Sequence, residues 1–215
     1  MSYITDIQKI SDLTINDIIK VSLRYVPDPF KSCPWAYRDS EGRTLEHGTA
    51  VLETEEQCCA YMAAYGPMHR HKLTRALDEN EFPYKNLNNG VEIYDWGCGQ
   101  GIASLTLLEF LRERNLLGRL NAITLIEPSH IALERARKWV SQNAGPGIKV
   151  NAVEKLIPSD INGRMDEVNC NSAVSINLFS NILDIQSLSL QWIAHKTASL
   201  ANVNYMICIG PKFSN

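Results

Sequence analysis

Residues Val91–Gly101 read V-E-I-Y-D-W-G-C-G-Q-G, which puts one carboxylate, Asp95, just ahead of three glycines at alternate positions, Gly97, Gly99 and Gly101. An apolar run, Ile102–Leu111, follows at once. Glycines adopt backbone angles that other residues resist and let the main chain approach a ligand closely. A helix starting there aims its positive end and free N–H groups at the same ligand. The preceding acid changes the chemistry, because it repels a pyrophosphate and attracts an ammonium group. The spacing thus describes a cleft for a ligand with a cationic centre. A dinucleotide fingerprint would need its third glycine at position 102, which is Ile102, and no G-K-[ST] follows for a phosphate loop.

The elements that must hold this loop alternate along the chain. Val91–Tyr94 reads as a strand and Gly101–Asn115 as a helix, with Gly118 marking the turn after it. Ala122–Ile126 is a second strand, ending in Glu127. Ser129–Asn143 is helical, with Leu133, Ala136 and Val140 on one face and Ser129 as N-cap. Gly145-Pro146-Gly147 ends that helix. Ile148–Val153, Ala173–Phe179 and Tyr205–Ile209 are the remaining strands, and Asp184 caps a helix carrying Ile185, Leu188, Trp192 and Ile193. Continuous apolar strands separated by helices give right-handed crossovers and a mainly parallel sheet covered on both faces. The expected fold class is α/β, doubly wound.

Residues 1–88 read differently, as a helical cap ahead of the α/β domain at 89–215. A helix is expected over Ile15–Tyr25. Glu53–Ala64 and Met68–Asp78 are expected as two helical pieces hinged at Gly66-Pro67, followed by a loop over Glu79–Gly90. Tyr65, His69 and Lys72, at spacings of four and three on the helix ahead of the glycine loop, would share one helical face.

At 215 residues and 45% hydrophobic content the chain has ample material for a buried core. A net charge of −3 gives no global attraction to nucleic acid or membrane, although His69, Arg70, His71, Lys72 and Arg75 form a local basic cluster. The six cysteines include no C-x-x-C pair, which argues against a metal site and a disulfide framework and fits a reducing cytoplasm. Nothing resembles a signal peptide or a bilayer-spanning run.

The segment Asp95-Trp96-Gly97-Cys98-Gly99-Gln100-Gly101 resembles motif I of the class I S-adenosylmethionine (SAM)-dependent methyltransferases, and the resemblance extends over Val91–Pro211. It implies a Rossmann-like sheet of that type, SAM as cofactor and S-adenosylhomocysteine (SAH) as product. In that family the glycine loop wraps the methionine part of SAM and the acid organises its ammonium. This assigns Asp95, Gly97, Cys98, Gly99, Gln100 and Gly101 to the cofactor site. Glu127 would accept the two ribose hydroxyls in a bidentate contact, with Pro128 and Ser129 flanking the adenine. An exposed strand-end acid with no ligand is the alternative for Glu127.

Glu154, after the third strand, is the candidate for the adenine amino group, against a solvated loop acid. Asn177 lies in Ser175–Asn181, the segment the family places under the methyl-bearing sulfur. That segment lacks an N-P-P-Y type signature, which disfavours exocyclic amino acceptors. Tyr65 and His69 are candidates for the acceptor site, His69 as a general base, against a solvated polar face. Cys98 is small for steric reasons and is not read as a nucleophile. The family sheet normally continues past its fifth strand, whereas this sequence ends at Pro211–Asn215. The expectation is therefore a domain of something larger, or one that self-associates through its sheet edge. The acceptor stays open among small molecule, protein and RNA. A methyltransferase-like scaffold without activity is the rival reading.

Overall fold

The computed structural model describes residues 14–80, 87 and 90–210. The expected loop over Glu79–Gly90 and the terminal Pro211–Asn215 fall mostly or wholly outside the described residues.

Five strands form one parallel sheet: β1 (Val91–Trp96), β2 (Leu120–Ile126), β3 (Lys149–Val153), β4 (Val174–Ser180) and β5 (Val203–Ile209). Their order is β3-β2-β1-β4-β5. This is the doubly wound sheet expected from the sequence, with its order reversing between β1 and β4. Ligands in such sheets bind outside the carboxyl ends of the strands at that reversal. All six residues of β1 are buried, as a central strand covered on both faces requires. The register pairs Asp95 with Leu125 on β2 and Leu178 on β4, so the acid sits one residue from the end of the central strand.

The helices are α1 (Ile15–Arg24), α2 (Glu55–Glu79), α3 (Ile102–Glu113), α4 (His130–Ala144) and α5 (Leu190–Ala198). Their starts follow capping chemistry. Thr14 with Asp17 and Thr54 with Gln57 form capping boxes, and Ser129 and Ser189 cap α4 and α5. α5 therefore begins at Ser189 and not at Asp184. Ile185 and Leu188 lie in the turns before it and reach the cleft.

The two-piece expectation for residues 53–78 is corrected: α2 is one helix of 25 residues running through Pro67. An interior proline costs about 3 kcal/mol. Burial on both sides of it offsets that cost, with Cys58, Cys59 and Met62 before it and His69, Leu73 and Leu77 after it all buried. Gly66 is there for packing. A Cβ on it would lie 3.1 Å from Ile19 Cγ1, so its absence lets α1 and α2 touch.

One hydrophobic core joins Ile15, Ile18, Leu73 and Leu77 of α1 and α2 to Ile93, Leu107, Ile123 and Ile176 of the α/β unit. A second cluster fills the other sheet face around Tyr94, Trp96, Phe179 and Trp192. There Trp96 stacks on Phe179 with ring centroids 6.1 Å apart. No helix among the described residues is long and apolar enough to cross a membrane.

Candidate functional site: a cleft at the carboxyl edge of the sheet

The chain leaves β1 at Trp96 and turns through the glycine loop, in which Gly97, Gly99 and Gly101 all have positive φ (63°, 51° and 80°). The Cys98 N–H donates to Ile126 O at 2.9 Å, tying the loop to the end of β2. Gly101 is required by packing: a Cβ there would stand 3.1 Å from Ala136 Cβ and 3.2 Å from Val140 Cγ2 on α4. Gly99 is different, because a Cβ there would meet nothing within 4 Å. Its bare backbone faces open space, which is where a ligand would lie.

Asp95 sits behind this loop at 1% exposure. One oxygen, Oδ2, accepts from Ser104 N–H at 3.1 Å and Ser104 Oγ–H at 2.7 Å, capping α3 from the strand. The other, Oδ1, is buried with no hydrogen-bond partner among the described residues. Burial pushes the carboxyl up to about 7, opposed by the Ser104 bonds and reinforced by the nearby charge of Glu127. A buried acceptor left unsatisfied is expensive, so Oδ1 is the atom of the site most in need of a donor.

Glu127 follows β2 and is 9% exposed. Its Oε2 accepts from Gly99 N–H at 2.9 Å and its Oε1 from Ser129 N–H at 3.0 Å. These bonds fix the carboxylate in one orientation and leave each oxygen a lone pair for a ligand hydroxyl. Burial raises its pKa and the two backbone donors oppose the rise.

Gly97, Gly99, Glu127 and Pro128 line a cleft of about 210 Å³ at the β1–β4 reversal. Leu156 and Ile157 after β3 and Ser180, Asn181 and Ile182 after β4 line it as well. Val51, Leu52 and Tyr61 close the far side, so the segment before β1 covers the sheet edge. Tyr61 was missed in the sequence although it lies four residues before Tyr65, one turn back on the same face.

Other sequence candidates sit elsewhere. Gln100 points away from the cleft: its Nε2 donates to Cys58 O at 2.8 Å and its Oε1 accepts from Arg135 at 2.9 Å. Asn177 is fully buried in mid-strand, accepting from Trp96 Nε1 at 3.1 Å and donating to Ser175 Oγ at 2.8 Å. It is too far before the strand end to line the cleft, and Ser180–Ile182 take that place. Glu154 bonds the exposed His130 at 2.6 Å and borders a separate outer groove of about 980 Å³ along α4. Ser129 borders that groove too, with its hydroxyl donating to Leu52 O. Cys98 is buried and its thiol pKa is pushed well up by burial, which makes it a poor nucleophile.

His69 is only 7% exposed, stacked on Tyr65 at 6.0 Å. Burial, with Lys72 nearby, pushes its pKa down to about 4. It stays neutral at pH 7 but is too weak a base to take a proton efficiently, which corrects the general-base expectation. The basic cluster is also broken up, because Arg70 pairs with Glu109 at 3.1 Å and Arg75 with Glu79 at 2.5 Å. Among the described residues no group of three or more His, Cys, Asp or Glu is placed to hold a metal ion.

No protein-family model and no curated protein matches the chain. Among solved structures it is similar to a SAM-dependent methyltransferase of the DUF858 family from Leishmania major. The identity is 15%, over 89% of this chain and 67% of that one, with a TM-score of 0.41. It is also similar to coclaurine N-methyltransferase bound to N-methylheliamine and SAH, at 15% identity, 82% and 42% coverage and a TM-score of 0.29. The chain thus spans about two thirds of the first and less than half of the second. The fold and site define a doubly wound α/β domain with a ligand cleft at its strand reversal, and the functional reading rests on the cleft itself.

Proposed function

We propose that this cleft binds S-adenosylmethionine and that the chain is a SAM-dependent methyltransferase. The observation that carries the reading is the unpartnered, buried Asp95 Oδ1 behind an open glycine loop, with Glu127 fixed beside it. Glu127 is the carboxylate that lines the cleft, Asp95 lies buried behind its glycine loop, and among the described residues no guanidinium or ammonium lines it, which suits a cation that also carries hydroxyls. The α-ammonium and ribose of SAM answer to both. When bound, SAM supplies an electrophilic methyl on a sulfonium.

The chain's own residues do the rest. Asp95 and the loop N–H groups hold the amino-acid end, and Glu127 holds the hydroxyls. Pro128, Leu156 and Ile157 offer apolar walls to the adenine, and they and Ile182 exclude water from the cleft. Holding donor and acceptor at near-attack distance can supply roughly 7–11 kcal/mol of such a reaction's barrier. At about 210 Å³ the cleft is smaller than the ~300–1,000 Å³ of drug-sized ligand sites. A nucleoside-sized ligand therefore requires the 48–52 segment to yield.

Calorimetric titration with SAM, SAH and, as control, NAD tests the reading. Binding of both adenosyl ligands and none of NAD supports it. A folded protein silent to all three would sink it in favour of a methyltransferase-like scaffold.

A further inference from the structure

Building on the SAM reading, we infer that the ligand-free cleft keeps one proton on the carboxyl pair of Asp95 and Glu127, and that the cationic cofactor expels it on binding, so that pH sets cofactor affinity.

Asp95 and Glu127 are both buried. Among the described residues neither carboxylate has an ion-pair partner. Arg135 on α4 is turned to Gln100 and the Glu55 side chain, and Lys72 on α2 to Asn181 and Gly210 O. Taking two like charges out of water with no counter-charge is costly. A proton on one of them relieves both the burial and the repulsion.

The hydrogen bonds decide which carboxyl holds that proton. Glu127 accepts one backbone N–H on each oxygen, from Gly99 and from Ser129, and both favour its charged form. Asp95 takes its two bonds on Oδ2, from the Ser104 N–H and Oγ–H. Its Oδ1 is buried without a partner among the described residues, and is the atom left to carry the proton.

The groups around the pair stay neutral near pH 7. α3 faces Asp95 with Ser104, and the register neighbours on β2 and β4 are Leu125 and Leu178. The glycine loop contributes Cys98, and α2 brings Tyr61 against Glu127, and burial pushes both groups up. His69, two turns further along α2, is kept unprotonated by its own burial. Burial raises Glu127 as well as Asp95, and the Glu127 charge adds to the rise at Asp95.

Glu127 lines the cleft, and its charge reaches Asp95 through the glycine loop. A cation lying over the open side of Gly99, whose N–H is bonded to Glu127, stands within the same reach of both acids. It supplies the missing counter-charge, and the proton passes from Asp95 to solvent. Proton and cofactor therefore compete, and each weakens the binding of the other by the same factor.

The test titrates the full chain with SAH at about pH 6 and about pH 8, in two buffers of different ionisation heat, so that calorimetry counts the protons released. Close to one proton per SAH should leave at the lower pH and close to none at the higher, with affinity rising about tenfold between them. Asp95→Asn, run alongside, should release no proton and show no such rise, which also accounts for any titration of SAH itself. Binding without proton release, or a release that survives Asp95→Asn, overturns the proposal. If SAH fails to bind, the SAM reading falls, and carbon NMR of isotope-labelled aspartate carboxyls in the ligand-free protein decides what remains. The signal lost in Asp95→Asn should titrate near 7 if the pair holds its proton. Titration in the ordinary carboxylate range overturns that too.

Discussion

Replacing Asp95 with asparagine should make the ligand-free protein more stable and the liganded one weaker, with a pH dependence set by the burial of this one carboxyl. Asparagine can still accept both Ser104 bonds through its oxygen, so the cap on α3 survives. What it removes is a charge. The carboxyl titrates at about 7 in the folded protein against 3.8 for the free group. Between those values the folded state holds the proton more often than the unfolded chain does, so wild-type stability falls as pH rises through this window and levels off above it. Each tenfold in the proton equilibrium is worth about 1.4 kcal/mol, so the penalty reaches ~4 kcal/mol at pH 8 and only ~2 kcal/mol at pH 5. Urea unfolding of wild type and Asp95→Asn at the two pH values measures the difference. The variant's advantage should grow by ~2 kcal/mol from pH 5 to pH 8, whatever constant cost the amide itself brings. SAM affinity of the same variant, read by calorimetry, should drop by 1–3 kcal/mol, the range for a lost charge-assisted bond, written as roughly tenfold or more. A stability difference that does not change with pH would refute the account of Asp95, and unchanged SAM binding would refute its role toward the ligand.

The glycine loop predicts a contrast. Gly101→Ala should destabilise the fold by about 2 kcal/mol or more through left-handed strain and the clash with Ala136. Gly99→Ala should cost only the strain, about 1 kcal/mol, while weakening SAM binding, both read by thermal unfolding and calorimetry. Glu127→Gln loses an acceptor for either the Gly99 or the Ser129 N–H. It should weaken SAM and SAH alike by about tenfold, and equal affinity to wild type would count against ribose contact. β5 has no strand on its outer side among the described residues, contains no charge or proline, and exposes Val203, Met206 and Cys208. Such an edge invites pairing. Sedimentation should show concentration-dependent self-association that Met206→Lys removes, and a monomer at all concentrations would dismiss the idea.

What the sequence disclosed follows from how local each signal is. The strands and the doubly wound parallel class were legible because apolar runs, turns and serine caps recur at short range, and parallel crossovers leave few topologies. The positions of Asp95, the glycines and Glu127 were legible for the same reason: each sits at or just after a strand end, at the carboxyl edge of the sheet. Asn177 was misread although the end of its strand was placed to within one residue, because it lies three residues before that end, and in a strand three residues carry a side chain about 10 Å along the sheet. Gln100 was misread because adjacency in the loop does not say which way a side chain points. His69 looked like a base because its type allows it, whereas its proton affinity is decided by the burial that only packing supplies. Pro67 looked like a hinge because local propensity disfavours it, and tertiary burial of both flanks overrode that preference.

The corrected role of Gln100 explains why the helical segment ahead of β1 belongs to the site. Its amide bonds Cys58 O on α2 with one end and Arg135 on α4 with the other. Arg135 in turn reaches the Glu55 side chain and Cys59 Sγ on α2. The glycine loop, α2 and α4 are therefore fastened together by buried polar contacts that lose much of their worth if one member is removed. The fastening point is three residues, less than one turn, before Tyr61, which faces the cleft from α2. Whatever sets the loop thus also sets the far wall of the cleft, and the ladder Tyr61, Tyr65, His69 and Lys72 carries that placement along one helix face from the glycine loop to Asn181. The cap is in this way a structural part of the cleft, which a cofactor loop on a bare sheet edge would lack.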